Sequence, residues 1–490
     1  MSLEYLGVAG LAVYLVALLV VAELARRARR DQSPADHFLA GRDLGVFVLF
    51  LTLYATAYSG NSLLGYPGEA YRRGFSWIMA TGFMLSIVVC FHALVPRLRP
   101  IAVAHAFVTP GDWVRHRFAG EPGARALLAG VSVLMTLALA NFLFAQLKAM
   151  GEMADQVTGG VVSYEFGVFG LALVILVYET VGGMRAVAWT DAAQGVLMLL
   201  GLAALLNWVL GASGGLELMT TQILEIRPAA ALVPDARECA NWVSTIGLLG
   251  LASIVYPQAI QRIYAARSGP VLKRSLAMMS FMPLATTAVV TLIGLAAIPR
   301  FADLGAAEAD RVMPLLLGEW AAASPLYAVA AVAVFIGALA AIMSTADSVL
   351  LSLGSLVAED LLGRPRDDAS TTALGKKVAA WTMLAMACGA MFREITLWRL
   401  IELKMELLIQ CVPAFLLAIH WRGLRARPTF AGLVAGAAVA IVGVLAGWKR
   451  IGGVHIGMLS LCLNLAIAVA GSIWARPRRS EPVRPSAGLG

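Results

Sequence analysis

Charge is scarce in this chain. Charged residues fill 14% of its 490 positions, where soluble domains carry about 25%. Hydrophobic residues reach 60%, and the mean hydropathy is +0.79. This composition cannot build a solvated globular surface, and no stretch has the makeup of a soluble catalytic domain. Cysteine is sparse too. Cys90, Cys239, Cys388, Cys411 and Cys462 show no metal-ligand or disulfide spacing. Four of them sit in apolar runs, where packing is the expected role. The six histidines have no ligand spacing either. No nucleophile–base pair stands out, so the chain is not expected to be an enzyme. The net charge of +8 does not call for nucleic acid, because Lys and Arg are confined to short segments between apolar runs, as topology signals are.

Long apolar runs are what the chain has in abundance, and runs of roughly 18 residues or more can cross a bilayer. They predict about thirteen spans, at 5–24, 44–68, 75–96, 125–151, 163–181, 189–210, 241–265, 275–298, 326–362, 377–393, 397–420, 429–448 and 453–475. The first run lacks a basic leader and ends in Arg26-Arg27-Ala28-Arg29-Arg30, so it is expected to be a membrane helix rather than a cleaved signal. The fold class is therefore an all-α polytopic membrane protein whose partner is the lipid bilayer. Residues 1–480 form one transmembrane domain, and the polar, Pro-rich 481–490 form a disordered tail.

The basic segments fall on one side if the count holds. They include Arg97 and Arg99 after span 3, Arg262, Arg267, Lys273 and Arg274 after span 7, and Arg364, Arg366, Lys376 and Lys377 after span 9. The positive-inside rule then puts the N-terminus outside and the C-terminus in the cytoplasm. Arg72-Arg73 and Lys449-Arg450 are exceptions. Segments 211–240 and 299–325 carry helical periodicity and predict short surface helices. No motif sets an oligomeric state.

Polar interruptions in the apolar runs are the functional signal. Span 9 contains Ile342-Met343-Ser344-Thr345-Ala346-Asp347-Ser348. An Asp at the bilayer centre costs roughly 2.5–3.5 kcal/mol, so such a residue marks a functional site by default. Ala341, Ser344 and Thr345 stand at i, i+3 and i+4 and share one face. A carbonyl and two hydroxyls there form a hard-oxygen surface suited to a small hard cation. Span 2 is broken by small and polar residues from Ala55 through Tyr58, Ser59, Gly60 and Asn61 to Gly65-Tyr66-Pro67-Gly68. Broken helices are tolerated in membranes where the freed backbone lines a cavity or is buried in protein; close packing through small residues is the alternative. Span 7 carries Tyr256-Pro257-Gln258 and then Gln261-Arg262. Pro257 kinks that span, and a simple structural kink is the alternative there. Matched interrupted helices point to a transporter's binding site, here near Tyr58, Ser59, Asn61, Tyr256 and Gln258. Between spans 5 and 6, Gly182-Gly183 permits a sharp turn. Thr190 is a candidate N-cap with Asp191 in the first turn; a cation ligand or inner gate is the other role for Asp191. Span 11 is atypical in carrying Arg399, Glu402, Lys404 and Glu406, either as an outer polar cluster around Arg399 or as the lining of a substrate or proton pathway.

Taken in order, Gly41-Arg42, Gly65-Tyr66-Pro67-Gly68-Glu69-Ala70-Tyr71, Gly182-Gly183 with Trp189-Thr190-Asp191 and Gln194, and Ala341 through Ser348 with Glu359-Asp360 resemble the sodium:solute symporter family. The resemblance spans about residues 36–480. It implies a leucine-transporter-type fold, with a 5+5 inverted repeat of spans 2–6 (about 44–210) and 7–11 (about 241–420), one extra helix before and two after. It implies Na⁺ as coupling ion, held by the carbonyls of Ala55, Tyr58 and Ala341 and the hydroxyls of Ser344 and Thr345. Asp191 matches an Asp near sodium in several members, and where a second sodium binds, its ligands fall near positions 344, 347 and 348. Asp347 and Ser348, with Asp191, are thus candidates for a second cation or proton site. Sodium/proline-type members carry an Asp where this chain has Ala57, and Tyr256-Pro257-Gln258 with Arg262 looks closer to the monocarboxylate and pantothenate branches. The expected function is Na⁺-coupled symport of a small organic solute, favouring a carboxylate over an amino acid, in a bacterial inner (plasma) membrane. A transporter-like sensor serving a separate kinase and a proton-coupled symporter are the alternatives.

Overall fold

The computed structural model describes residues 3–28, 34–59, 61–363, 369–392 and 397–475. The tail 481–490 lies outside the described residues, as do Gly60, Arg29, Arg30, Arg364 and Arg366. Helices joined by short turns make up most of the described chain; its strands are the two-residue β1 (Arg450–Ile451) and β2 (Val454–His455), which pair antiparallel.

The chain begins with α1 (Leu3–Arg27) and a short helix, Pro34–Leu39. It continues through α2 (Val46–Ala57), α3 (Tyr66–Arg73), α4 (Met79–Ala104), α5 (Ala124–Val157) and α6 (Tyr164–Ala212). The second half holds α7 (Ala236–Ser253), α8 (Pro257–Ala265), α9 (Gly269–Met279), α10 (Val289–Arg300) and α11 (Pro325–Ser355). It closes with α12 (Ala369–Gly389), α13 (Leu397–Leu408), α14 (Ala426–Leu445) and α15 (Ile456–Trp474). Among the described residues, eight helical segments are long and apolar enough to cross a membrane, or nine if α7 and α8, bent by 51°, count as one. Both segments expected to carry short helices do so, but only Gly215–Ile226 lies at the surface; Val312–Ala323 is largely buried, through Val312, Met313, Leu316, Leu317 and Trp320.

Local chemistry explains the breaks. Tyr58 leaves the helical region (φ −106°, ψ 87°), ending α2. Pro257 stands at the start of α8, where its missing N–H removes no helical bond. The two predicted spans 163–181 and 189–210 are two arms of α6, 164–182 and 184–212, which meet at Gly183 (φ 60°, ψ −162°). That backbone is almost exclusive to glycine, and a Cβ there would stand 2.7 Å from the His37 ring. The second arm therefore begins earlier than the capping pattern implies. Thr190 is no N-cap: its hydroxyl donates to the carbonyls of Ala186 and Val187, at 3.0 and 2.9 Å, as a mid-helix Thr does.

Burial separates centre from periphery. The most apolar stretch of the span containing α11 is 67% buried, against 22% for α1. α11 packs against α1, α2, α5, α6, α8 and α12, so every residue from 337 to 356 is buried. Cysteine does not follow the packing expectation throughout: Cys411 is buried, whereas Cys239, Cys388 and Cys462 are exposed. Three of the four basic residues that break the loop pattern are paired with carboxylates. Arg72 and Arg73 both bridge to Glu69, and Arg450 bridges to Glu402.

Candidate functional site

The break after α2 sets the first centre. With Tyr58 out of helical geometry, the Ala55 carbonyl lies 3.3 Å from the Thr345 hydroxyl on α11. The same hydroxyl is 3.0 Å from the Ala341 carbonyl one turn earlier. A hydroxyl has one hydrogen, so it satisfies only one of these carbonyls at a time. Three neutral oxygens from two helices thus converge, a donor set that suits a hard cation without a fixed charge to trap it. The Tyr58 ring packs against Tyr54, with centroids 4.8 Å apart and planes tilted by 39°. Ser344 is turned elsewhere: its hydroxyl donates to Asp191 Oδ1.

Ser344 is the link to a second, charged centre. Asp191 Oδ2 accepts from the Thr52 hydroxyl and from Arg262 Nη2, at 3.1 Å. Arg262 Nε donates to the Thr52 hydroxyl at 2.8 Å, Nη1 to the Gln258 carbonyl at 3.2 Å, and Nη2 also to Ser348 Oγ. Ser348 Oγ lies 2.7 Å from the Ser344 carbonyl and 3.2 Å from Asp347 Oδ1. Tyr178, on the first arm of α6, donates to Asp347 Oδ2. Asp191, Asp347, Arg262, Ser344 and Ser348 are all 0% exposed. The sequence counted Arg262 among the basic loop residues after span 7. The structure corrects this: α8 runs to Ala265, so Arg262 lies inside the protein. Its position within the predicted span 241–265, five residues after Pro257, was the available signal. Tyr178 and Thr52 carried none.

Beside the break of α2 lies a cavity of about 80 Å³, room for a handful of water-sized groups at roughly 10–15 Å³ each. Ala57, Ser59, Ser62, Phe142, Tyr256 and Lys404 are among its lining residues. Of the residues expected to meet substrate, Ser59 and Tyr256 reach it. Tyr58 and Gln258 are buried but do not line it, and the Asn61 side chain lies outside the described residues. Both polar atoms of the Gln258 amide are buried without a partner among the described residues. Glu402 does not line the cavity; it pairs with Arg399 at 3.1 Å and with Arg450. Glu406 lies 3.6 Å from Arg399.

Comparison with known proteins gives this geometry a family context. The family model described as Sodium:solute symporter family matches residues 37–436. The osmoregulated proline transporter OpuE of Bacillus subtilis is 25% identical over 98% of this chain and 97% of its own length. The sodium/proline symporter of Staphylococcus aureus is 25% identical over 88% of this chain and 84% of its own. Among solved structures, the substrate-bound outward-open state of a Na⁺-coupled sialic acid symporter superposes with a TM-score of 0.75, at 16% identity, covering 96% of this chain and 97% of that one. Mhp1, a nucleobase-cation-symport-1 family transporter in a closed conformation, gives a TM-score of 0.52 at 14% identity, covering 91% and 96%. These neighbours share the leucine-transporter-type fold.

Proposed function

The chain belongs to the sodium:solute symporter family, and on that premise we propose that it couples Na⁺ entry to uptake of a small carboxylate by alternating access. Na⁺ is the coupling ion. The observation that carries the reading is the convergence of the Thr345 hydroxyl on the Ala55 and Ala341 carbonyls at the break of α2. Na⁺ seated there, with the Tyr58 carbonyl and the Ser344 hydroxyl completing the set, ties α2 to α11. The ion then favours one access state by its differential affinity for it.

The charged centre supports a single bound ion. The candidate second-site residues Asp191 and Ser348 already hold the Arg262 guanidinium, a resident cation where a second Na⁺ would sit. Proton coupling remains a second reading because Asp347 bonds to two hydroxyls while Arg262 bonds the other carboxylate. Uptake driven by a pH gradient in Na⁺-free buffer would favour it. The carboxylate preference rests on Tyr256-Pro257-Gln258 with Arg262, which looks closer to the monocarboxylate and pantothenate branches, and on Ala57, which stands where sodium/proline-type members have an Asp. The relatives' names point to proline, itself a carboxylate, so labelled proline and pyruvate belong in the same uptake assay.

In this reading the chain crosses the membrane thirteen times, with α2–α3 and α7–α8 as one broken span each, α9–α10 as one continuous span (Gly269–Arg300), and the arms of α6 counted separately. Residues 44–210 and 241–420 are then two inverted repeats, each opening with a broken span. The N-terminus lies outside and the C-terminus in the cytoplasm. The direct test is Na⁺-dependent uptake into proteoliposomes by Thr345→Ala and the double variant with Ser344→Ala. Both should insert normally, and the double variant should lose Na⁺-dependent uptake. Full uptake by the double variant would rule out this ion site.

A further inference from the structure

Lys404 is the one cationic side chain among those lining the cavity at the α2 break. It is 3% exposed. Its Nζ lies 3.3 Å from the centroid of the Phe142 ring and 4.9 Å from that of Tyr256. Among the described residues no carboxylate stands within ion-pair distance of it. Glu402 and Glu406, two residues to either side on α13, are each turned by roughly 200° from it, and they engage Arg399 instead. A lysine held between aromatic faces keeps a donor free, and a buried cation without a carboxylate is stabilised once an anion arrives. Ala57 lines the same cavity and contributes no competing negative charge, while Ser59 and Ser62 add hydroxyls.

We propose that Lys404 is the specificity-determining residue of the solute site and that it binds the carboxylate of a small monocarboxylate, with the Phe142 and Tyr256 rings framing the ammonium. This rests on reading the cavity as the solute site of the symporter. The solute's carboxylate meets Lys404 Nζ, and its short apolar remainder faces the apolar walls, which include Met84, Val88 and Ile401. A solute with a cationic group at the Lys404 end is rejected by like charge, and the uncharged amide of the same acid loses the ionic contact.

The experiment uses the full-length protein in detergent and in proteoliposomes, with pyruvate, propionate, pyruvamide, propionamide and L-proline as probes, in Na⁺ and in K⁺. Wild type should be stabilised against heating by at least one acid and by neither amide. Lys404→Met should bind that acid roughly 30-fold or more weakly. It should keep its Na⁺-over-K⁺ stabilisation and, without solute, melt no lower than wild type, which a structural lysine would not allow. Lys404→Arg should retain acid-over-amide selectivity. Equal acid affinity in Lys404→Met, or equal response of wild type to acid and amide, would overturn the proposal. Acid selectivity that depends on Lys404 while no Na⁺ dependence is seen would instead sink the symport reading and leave this one standing.

Discussion

Two buried cations lie on the second half of the chain, and they are treated in opposite ways. Arg262 on α8 touches a carboxylate, two hydroxyls and a backbone carbonyl. Lys404 on α13 touches two aromatic faces and a cavity. Removing an ion from water carries an effective penalty of several kcal/mol. Arg262 recovers it within the protein, through an ion pair and charge-assisted hydrogen bonds that join α2, α6, α8 and α11. Lys404 recovers only part from its rings, about 2 kcal/mol or more for a desolvated cation–π contact. A satisfied buried charge holds helices together, whereas an unsatisfied one beside a cavity is poised for a partner that comes and goes.

The comparison can be broken most directly at Arg262. Arg262→Ala leaves Asp191 and Asp347 buried with no guanidinium and should destabilise by about 3–5 kcal/mol, seen as a large fall in thermal stability of the purified protein. A variant as stable as wild type would mean that the guanidinium is not the brace. Pairing Arg262→Met with Asp191→Asn should recover part of the loss, since removing both partners of a buried pair is often near neutral. At Lys404 the same logic predicts lost solute binding with thermal stability intact. Ala57→Asp sharpens the contrast from the other wall of the cavity. A carboxylate there gives Lys404 a resident partner and repels the solute, so apparent affinity for a monocarboxylate should fall about tenfold, measured as the half-saturating concentration for uptake. The smallest effect is expected at Glu402→Gln: the carboxylate is buried, but its partners Arg399 and Arg450 keep some contact with solvent, and the amide oxygen still accepts their hydrogen bonds. A loss of about 1–3 kcal/mol in stability with normal solute affinity would place Glu402 outside the transport path, and a lost pH response of uptake would bring it back in.

Much of this architecture was legible in sequence because a bilayer imposes simple rules. Length and hydropathy located the long helices, and Gly182-Gly183 marked the place where α6 divides. The alternation of apolar span and polar interruption singled out Ala341, Ser344 and Thr345, whose shared face follows from helical spacing. Thr190 was misjudged because a Thr-Asp pair has the pattern of a cap wherever it occurs, and only the backbone shows that the helix began earlier. Arg262 was misjudged because a basic residue near the end of a span has the same composition whether it faces cytoplasm or core.

The sequence by itself therefore determined the class of molecule, its family and the helices that carry function, since these depend on composition and local spacing. Only the tertiary structure decided what each polar residue meets. It turned Ser344 toward Asp191 and Thr345 toward Ala55, set Arg262 between Asp191 and Ser348, and left Lys404 lining the cavity. These outcomes depend on which residues far apart in sequence are packed together: 52, 191, 262 and 348 around one centre, 55 with 345, and 142 with 404. Electrostatic and hydrogen-bond energies fall off over a few ångströms, so such partners are fixed by packing and not by position along the chain.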